Sequence, residues 1–507
     1  MPLSIPLTGL ASNDTVPGTY VEILFAQGAA SLGSATYAVI LVGNKSVAGD
    51  ATADTAIYGP YPGSPASLGS VQDAINRFGQ GSELHRMYKR FLAVNTVTPV
   101  FAIAALESIG AAATLAVTFA GAATANGSVR LYMGDDFVDC PITNGDTPTI
   151  IAANAVVQAN SRPDWAVTAS AALGVLTLTS KNKGPRGNWL RGAAVIQGSN
   201  VGITSSASLM AFFAGGTTSD SNANALATIA PFRYYYIVSA AEDATQFGAV
   251  ASQVATSALP TTGLRARCIT GSVDTAGNIT TIATGVNNPR AEFEWLQNAD
   301  LTPAELASNG AAVYSLGEIP TAFRCNFDSY GQDAVTQATW KVPAPRSMTA
   351  PSRATIKAAL NNGITPIAVA PNGTTYLVKR VTSKSLTGAN NDYRIRDAHK
   401  VTVCDRFADD WIAKSTAQFA GKNVSDDPPQ GGRPLASNVV SPRVIKAALQ
   451  KLVVDYGDIG LVQNVAAINA GIAVIREIGA PTRISTSVPL QTVDILDQVT
   501  AALSQTA

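Results

Sequence analysis

Apolar runs and amphipathic stretches alternate along the first hundred residues of the chain. Residues 36–43 form a continuous apolar run that ends in glycine, which is typical of a strand buried on both faces of a parallel sheet. Residues 67–92 carry apolar side chains at helical spacing, interrupted by Gly-Gln-Gly, and residues 98–106 form a second apolar run. Because strand and helix alternate, this part of the sequence predicts the opening of an α/β unit.

The same alternation returns after residue 215. Two strands and two helices are predicted there, at residues 232–240, 264–272, 244–258 and 303–316. Further along, Asn372-Gly373 separates two strand-like runs within residues 364–383 and predicts a β-hairpin. We interpret this hairpin as the start of a C-terminal α+β domain.

The region between these stretches has a different texture. Residues 107–215 are rich in Ala, Thr, Gly and Asn, and they hold short alternating runs separated by turn residues. This pattern predicts an inserted all-β domain, which we expect to face outward. The predicted fold class is α/β and α+β, with an α/β core sheet, the inserted domain and a C-terminal α+β domain with extended terminal arms. The predicted divisions are an N-terminal arm (1–30), the α/β core (31–106 and 216–362), the inserted domain (107–215), the C-terminal domain (363–484) and a C-terminal arm (485–507).

The sequence DTVPGTYVEI, residues 14–23, predicts a strand that has no obvious partner nearby. Its side chains alternate with a period of two, in the order Thr19, Tyr20, Val21, Glu22 and Ile23. The breaker Pro17-Gly18 separates this strand from the residues before it. Because the backbone groups of a strand must be paired, its partner has to come from elsewhere.

The segment LQTVDILDQVTAAL, residues 490–503, allows two interpretations. As a terminal strand with a polar face, it places Val493, Ile495, Val499 and Leu503 on one parity. As a short amphipathic helix, it groups Val493, Leu496, Val499 and Leu503 at helical spacing. We favour the strand and keep the helix as the alternative.

Ser441-Pro442 predicts the start of a helix, because serine is a common N-cap and proline is favoured at the first helical position. The apolar face of this helix consists of Val444, Ile445, Ala448, Leu449, Leu452 and Val453. Arg443, Lys446 and Lys451 lie on the opposite side at about 100° per residue. This basic stripe is either a solvated face or a docking surface for an acidic partner.

The composition adds a prediction about the surface. Only 14% of the 507 residues are charged and 46% are apolar, whereas globular proteins average about 25% charged residues. We therefore expect much of the surface to be covered by other protein in an assembly. The alternative is an exported β-rich protein with a surface of Thr, Ser and Asn.

The formal net charge is zero, which argues against a nucleic-acid-binding protein.

Cysteine usage and the apolar runs bear on the cellular compartment. The chain has four cysteines, far apart and without a CxxC pattern: Cys140, Cys268, Cys325 and Cys404. They predict buried thiols in a reducing compartment rather than a disulfide framework or a zinc site. The first residues, MPLSIPLTGL, lack the basic region and apolar core of a signal peptide. No apolar run of about 18 residues predicts a membrane span, so we expect a protein that is made in a cytoplasm.

The search for reactive groups predicts no catalytic, cofactor-binding or metal site. His85 and His399 are the only histidines, and we interpret both as structural or surface residues. The sequence holds no GxSxG, HExxH or Walker A motif. Three adjacent carboxylate pairs occur, Asp135-Asp136, Asp409-Asp410 and Asp426-Asp427. Adjacent residues point in different directions, so adjacency does not make them catalytic pairs.

Four segments resemble contractile tail sheath proteins, in particular those of Mu-like phages. VPGTYVEI (16–23) resembles their opening strand, and FFAGGTTSDSNANALATIAPFRYYYIVSA (212–240) is similar to their Gly-Gly-Thr loop, helix and Tyr-rich strand. VVSPRVIKAALQKLVVDYGDIGLVQN (439–464) is similar to their Pro-led helix. GAPTRISTSVPLQTVDIL (479–496) lies where the family has its closing strands.

This resemblance implies a structural, non-enzymatic virion protein without cofactors. Such a subunit polymerises helically around an inner tail tube and contracts to drive the tube through the host envelope. The resemblance also implies that both terminal arms are donated to neighbouring subunits. The implied linking residues are Thr19, Tyr20, Val21, Glu22, Ile23, Val493, Ile495 and Val499, and the implied hinges are Pro17, Gly18, Gly479 and Pro481.

The implied partners are further copies of the chain in stacked hexameric rings, the inner tail tube protein, and baseplate and tail terminator proteins. Arg443, Lys446 and Lys451 are implied to face the tube. The implied location is the contractile tail of the virion, assembled in the host cytoplasm, without nucleic-acid binding or membrane insertion. The alternatives are an exported β-rich adhesin or surface-layer-type protein and, further away, a hydrolase on an α/β core.

Overall fold

A computed structural model describes the chain from residue 37 to residue 494 with gaps, together with residue 21. The described residues are 21, 37–61, 64–198, 202–239, 243–318, 341–346, 351–388, 390–392, 394–429, 433 and 435–494. In this part of the chain, no helix is both long enough and apolar enough to cross a membrane.

Eight strands form the main sheet, and six of them run parallel. They are β1 (Val39–Asn44), β2 (Ile57–Tyr58), β3 (Val100–Ala105), β12 (Tyr236–Ser239), β13 (Arg267–Ser272), β14 (Ala291–Trp295), β15 (Thr365–Val369) and β16 (Thr375–Leu377). The order across the sheet is β16-β15-β14-β13-β12-β1-β3-β2. The two edge strands, β2 and β16, are short and antiparallel to their neighbours. The parallel sheet predicted from the apolar runs is confirmed.

Helices cover both faces of the main sheet. One face packs on α1 (Val71–Phe78), α2 (Glu83–Leu92) and α7 (Pro303–Glu318). The other face packs on α4 (Ala223–Ile229), α5 (Ala244–Ser257), α6 (Ala276–Val286) and α8 (Arg353–Asn361). Successive residues of β1 enter opposite clusters, with Leu41 in the first and Val42 in the second. This double coverage explains why the strand reads as a continuous apolar run.

Two antiparallel sheets of four strands lie between β3 and β12 in sequence. Their strands are β4 (Ala112–Gly121), β5 (Gly127–Met133), β6 (Asp136–Ile142), β7 (Val167–Ala172), β8 (Val175–Lys183), β9 (Arg191–Gln197), β10 (Ile203–Ser205) and β11 (Ala211–Phe212). The sheet orders are β10-β4-β8-β7 and β11-β9-β5-β6. A 3-10 helix at Pro185–Trp189 follows β8, and the two sheets share one apolar core.

The same region contains α3 (Pro148–Asn160), so the prediction of an all-β domain is wrong for these residues. Apolar residues lie nearly all round this helix, and no single stripe indicates helical period. The sequence signal for the start of this helix is local, because Thr147 is a favoured N-cap residue and Pro148 follows at the first helical position. In the structure, the Thr147 side chain accepts a hydrogen bond from the backbone N–H of Ile150.

In the described residues of the C-terminal region, the structure contains three helices and three short two-stranded sheets. The helices are α9 (Ala398–Phe419), α10 (Pro442–Asp458) and α11 (Val465–Gly471). The strands are β17 (Leu386–Thr387), β18 (Asn390–Asn391), β19 (Asn423–Val424), β20 (Val439–Val440), β21 (Ala473–Arg476) and β22 (Ile484–Ser487). A separate apolar cluster, the C-terminal cluster, joins the three helices through residues such as Trp411, Tyr456 and Ile468.

The hairpin predicted at Asn372-Gly373 is confirmed, because β15 and β16 pair antiparallel on either side of it. Its predicted place as the start of the C-terminal domain is wrong. β15 pairs in parallel with β14, so the hairpin extends the edge of the main sheet instead. The partner of β15 lies far away in sequence, and a local turn signal does not reveal such pairing.

Candidate assembly surfaces of the C-terminal region

The hairpin of β21 and β22 offers strand edges. Its register pairs Ala473 with Ser487 and Arg476 with Ile484. Among the described residues, no third strand pairs with either β21 or β22. A two-stranded hairpin is only marginally stable by itself, and here β21 lies against α10. The hairpin is therefore a candidate acceptor for an added strand.

Within the predicted N-terminal arm, residues 1–30, the structure describes Val21. Its side chain is partly buried and packs against the C-terminal cluster. The other predicted residues of this arm, Thr19, Tyr20, Glu22 and Ile23, lie outside the described residues, as do the predicted hinge residues Pro17 and Gly18. The contact of Val21 shows that the C-terminal cluster has an apolar place for a side chain from the start of the chain.

The segment before Asp494 is paired within the chain. Thr492 forms an isolated bridge with Val462, and the backbone N–H of Val493 donates to the carbonyl of Leu461 at 3.1 Å. The predicted C-terminal arm began at residue 485, but residues 484–487 form β22 and residues 491–493 bond to the 461–463 loop. That boundary is therefore too early. Ile495 and Val499 lie outside the described residues.

Two residues at the start of α9 reach the same segment. The ring Nε2 of His399 lies 3.1 Å from the carbonyl oxygen of Val493. The Lys400 ammonium lies 2.5 Å from the Asp494 carboxylate. Burial lowers the pKa of His399 to about 4, so the ring is neutral at pH 7. Because a carbonyl oxygen only accepts, the neutral ring carries its proton on Nε2.

Gly479 and Pro481 lie in the loop that joins β21 to β22. The Arg476 side chain donates to the Pro481 carbonyl at 2.7 Å, and the backbone N–H of Arg483 donates to the Ala480 carbonyl at 2.8 Å. Since the loop connects two paired strands, bending there would move the tip of the hairpin. Their role as hinges of a terminal arm stays a prediction.

The predicted helix at Ser441 is α10, and its buried residues form a single stripe. They are Ile445, Leu449, Leu452, Val453 and Tyr456. Val444 belongs to the predicted apolar face but is 43% exposed in the structure. At about 100° per residue, Val444 lies well away from the centre of the stripe, and the predicted apolar face was drawn too wide.

The three basic residues of α10 differ in their surroundings. Arg443 is exposed, and its backbone N–H donates to the Asp427 carboxylate at 2.9 Å. Lys451 is exposed and pairs with Asp455 at 2.5 Å. Lys446 is partly exposed. A neighbouring carboxylate therefore offsets part of the positive charge of the stripe, and its role in contacting a tube stays a prediction.

A buried ionic seam joins α9 to the main sheet, and no local sequence motif predicts it. Arg290 binds the Asp405 carboxylate with two hydrogen bonds of 2.8 and 2.7 Å, and both side chains are almost fully buried. Arg233 and Arg265 each lie 2.6 Å from Asp409. We call these five residues the α9 seam.

Asp410 turns the other way and accepts a hydrogen bond from the Tyr456 hydroxyl of α10 at 2.8 Å. Burial raises its pKa to about 6. The two adjacent carboxylates therefore have different partners, since Asp409 faces the sheet and Asp410 faces α10. The helix α9 thus connects the main sheet to the C-terminal cluster.

The other histidine and the described cysteines are buried in the fold. His85 is buried, and its Nδ1 accepts a hydrogen bond from the backbone N–H of Gly81 at 3.0 Å. Cys140, Cys268 and Cys404 are buried and free, and Cys325 lies outside the described residues. Within the described ranges, no group of three His, Cys, Asp or Glu residues is arranged to hold a metal ion.

Comparison with known proteins gives one match in sequence and several in structure. The chain is 29% identical over 187 residues to the Mu-like prophage FluMu tail sheath protein of Haemophilus influenzae. The match spans 37% of this chain and 37% of that protein. No family model matches the chain.

Solved sheath structures are similar over most of their length but at low identity. The sheath tail protein of Desulfitobacterium hafniense is 11% identical, with a TM-score of 0.45 over 94% of this chain and 100% of that chain. The sheath tail protein of Listeria innocua is 11% identical, with a TM-score of 0.44 over 90% of this chain and 96% of that chain. The sequence match confirms the predicted resemblance to Mu-like tail sheath proteins over 187 residues, which are 37% of this chain.

Proposed function

We propose that this protein is the structural subunit of a contractile tail sheath. The observation that carries the proposal is the sequence match to a Mu-like tail sheath protein, which agrees with motifs in both halves of the chain. In this role the protein is not an enzyme and uses no cofactor. It polymerises helically around an inner tail tube and contracts to drive the tube through the host envelope.

Subunits are linked by strand addition at the hairpin of β21 and β22. Its strands have no third partner among the described residues, and an extended segment can add main-chain hydrogen bonds along such an edge. The donated C-terminal segment begins after Asp494, because the residues before it are already bonded within the chain. The linking residues Ile495 and Val499 remain within this segment.

The N-terminal arm has a matching place on the C-terminal cluster. Val21 packs there within the chain, which supports an exchange in which the same place receives the arm of a neighbour. Each subunit then gives an arm to one neighbour and accepts one from another. Such a contact is heterologous and does not close on itself, so it produces a helical polymer. Pro17-Gly18 is the proposed hinge of this arm.

Contraction is the passage of the lattice from one packing to a second. The linking arms hold the subunits together during this passage. The further proposed partners are the inner tube, which faces Arg443, Lys446 and Lys451, and the baseplate and terminator proteins at the two ends. The proposed location is the contractile tail of a virion that is assembled in the host cytoplasm.

Deletion of residues 1–25 tests the arm proposal. We expect the truncated chain to stay monomeric under conditions in which the full chain forms tubes, because the linking strand is missing. Negative-stain microscopy and sedimentation would read out the difference. Regular tubes from the truncated chain would contradict the arm exchange.

A further inference from the structure

We propose that the start of α9 is a clamp that fixes where the C-terminal arm leaves the subunit. His399 and Lys400 are its positioning residues, and they hold the segment Thr492–Asp494 against the 461–463 loop. The inference rests on the proposed function only in treating the chain after Asp494 as an arm. We call this set of contacts the C-terminal clamp.

The clamp holds consecutive residues of one segment by different chemistry. The Gln463 side chain donates to the Thr492 carbonyl at 2.8 Å. Val493 is held on both backbone groups, since its N–H donates to Leu461 and its carbonyl accepts from His399. Asp494 is held by the Lys400 ammonium at 2.5 Å. The direction of the chain at Asp494 is therefore set by several bonds that converge within three residues.

His399 is suited to this contact because it is 4% exposed. Its Nε2–H points at the Val493 carbonyl, while its Nδ1 has no hydrogen-bond partner. A second proton on this ring would be buried without an acceptor, which is unfavourable. The neutral ring thus donates a single, directed hydrogen bond to the root of the arm.

The start of α9 is itself tied to the main sheet. Asp397, the N-cap residue, forms an ion pair with Lys379 at 3.0 Å and a backbone bridge with Val381. The backbone N–H of Thr382 donates to the Arg396 carbonyl at 2.7 Å. Residues 379–382 follow β16 directly along the chain, so these contacts connect α9 to the edge of the main sheet.

One consequence concerns the mechanics of the subunit. The arm root, residues 492–494, contacts the C-terminal region through the 461–463 loop. It also contacts α9, which is bound to the main sheet by the α9 seam. When the main sheet turns, the arm root is expected to turn with it. A neighbour that accepts the arm then receives this movement directly.

Hydrogen exchange on the free subunit tests the clamp without requiring assembly. The full chain is kept dilute, and its monomeric state is verified by sedimentation. We expect the peptide that contains Val493 to exchange about five-fold faster in His399→Ala, because one hydrogen bond to the segment is lost. His399→Gln should exchange close to wild type, since an amide N–H can still donate to the Val493 carbonyl. Equal exchange in wild type and His399→Ala would overturn the clamp.

A charge reversal provides a second variant that spares the buried ring. Asp494→Lys places two ammonium groups together and should speed exchange of the same peptide about two-fold. The double variant Lys400→Glu with Asp494→Lys should return it toward wild type. Asp50→Lys is the matched control, because Asp50 forms an ion pair of similar exposure with Arg77 of α1. If Asp50→Lys has the same effect as Asp494→Lys on this peptide, the clamp is refuted.

Microscopy of the same variants separates the clamp from the proposed function. We expect Asp494→Lys to form fewer and shorter tubes than wild type, and the double variant to recover. If wild type forms no tubes, the proposed function fails, while the exchange result on free subunits still decides the clamp. If wild type and Asp494→Lys form equal tubes, the clamp does not position the arm, and the proposed function stands.

Discussion

Replacing Asp405 with alanine removes the carboxylate that Arg290 binds between α9 and the main sheet. The two hydrogen bonds measure 2.8 and 2.7 Å, and the Asp405 and Arg290 side chains are 0% and 4% exposed. The Tyr235 hydroxyl also donates to this carboxylate at 3.3 Å. Loss of one partner of a buried ion pair costs about 3–5 kcal/mol, because the remaining charge stays buried without compensation.

Native-state hydrogen exchange is the suitable assay for this loss. A chain of several units need not unfold in one step, whereas exchange reports the local opening of each helix. We expect the amides of α9 to exchange at least about a hundred-fold faster in Asp405→Ala. The effect should extend to α10 and α11, which share the C-terminal cluster with α9.

Two further variants make this reasoning refutable. Lys451→Ala removes an exposed ion pair of the same region, and it should change exchange by about two-fold at most. Arg290→Met combined with Asp405→Leu removes both charges and should restore much of the protection that Asp405→Ala loses. If Asp405→Ala behaved like Lys451→Ala, the α9 seam would not hold the C-terminal region to the sheet.

The remaining predictions concern pH, charge and thiols. Burial lowers the pKa of His399 from 6.5 to about 4, so this residue adds no pH dependence to the stability of the fold above pH 6.5 and lowers that stability by about 3 kcal/mol as the pH falls from 6.5 toward 4. Between about pH 7 and pH 4, the thermal midpoint of His399→Gln should therefore fall less than that of wild type, and an equal fall would contradict the assignment. Reversal of Arg443, Lys446 and Lys451 should weaken assembly on inner tubes and spare polymers of sheath alone, as counted by microscopy; unchanged assembly on tubes would remove α10 as the tube-facing helix. In a Cys325→Ser variant, the three remaining thiols should be unreactive toward a thiol reagent until the chain unfolds, because all three are buried and burial raises the pKa of Cys140 and Cys404 to about 12. Rapid labelling of the native variant would contradict this burial.

Local patterns in the sequence predicted the elements of the main sheet well. The run at residues 36–43 covers all of β1 except Asn44, and Ser441-Pro442 marks the start of α10. Both predictions rest on periodicity and capping, which act over a few residues. Periodicity does not predict the helix α3, because its exposed face is also apolar, with Ile150 45% and Val157 66% exposed. A pattern without contrast between faces does not indicate a period.

Contacts between residues that are far apart in the chain could not be predicted from local sequence patterns. Asp405 and Arg290 are separated by 115 positions, and neither lies in a motif. The same holds for β15, which joins β14 across about seventy residues and so belongs to the main sheet. The adjacent carboxylates Asp409 and Asp410 bind different elements, with Asp409 paired to Arg265 and Asp410 accepting from Tyr456, and the sequence order alone does not indicate these contacts.

The proposal that this chain is a tail sheath subunit is tested most directly by one electron micrograph of the purified full-length protein at high concentration. We expect hollow tubes of regular helical lattice, because in the proposed arrangement each subunit both donates and accepts a linking segment. Uniform discrete particles without any tubes, across a range of salt and protein concentrations, would contradict the proposal.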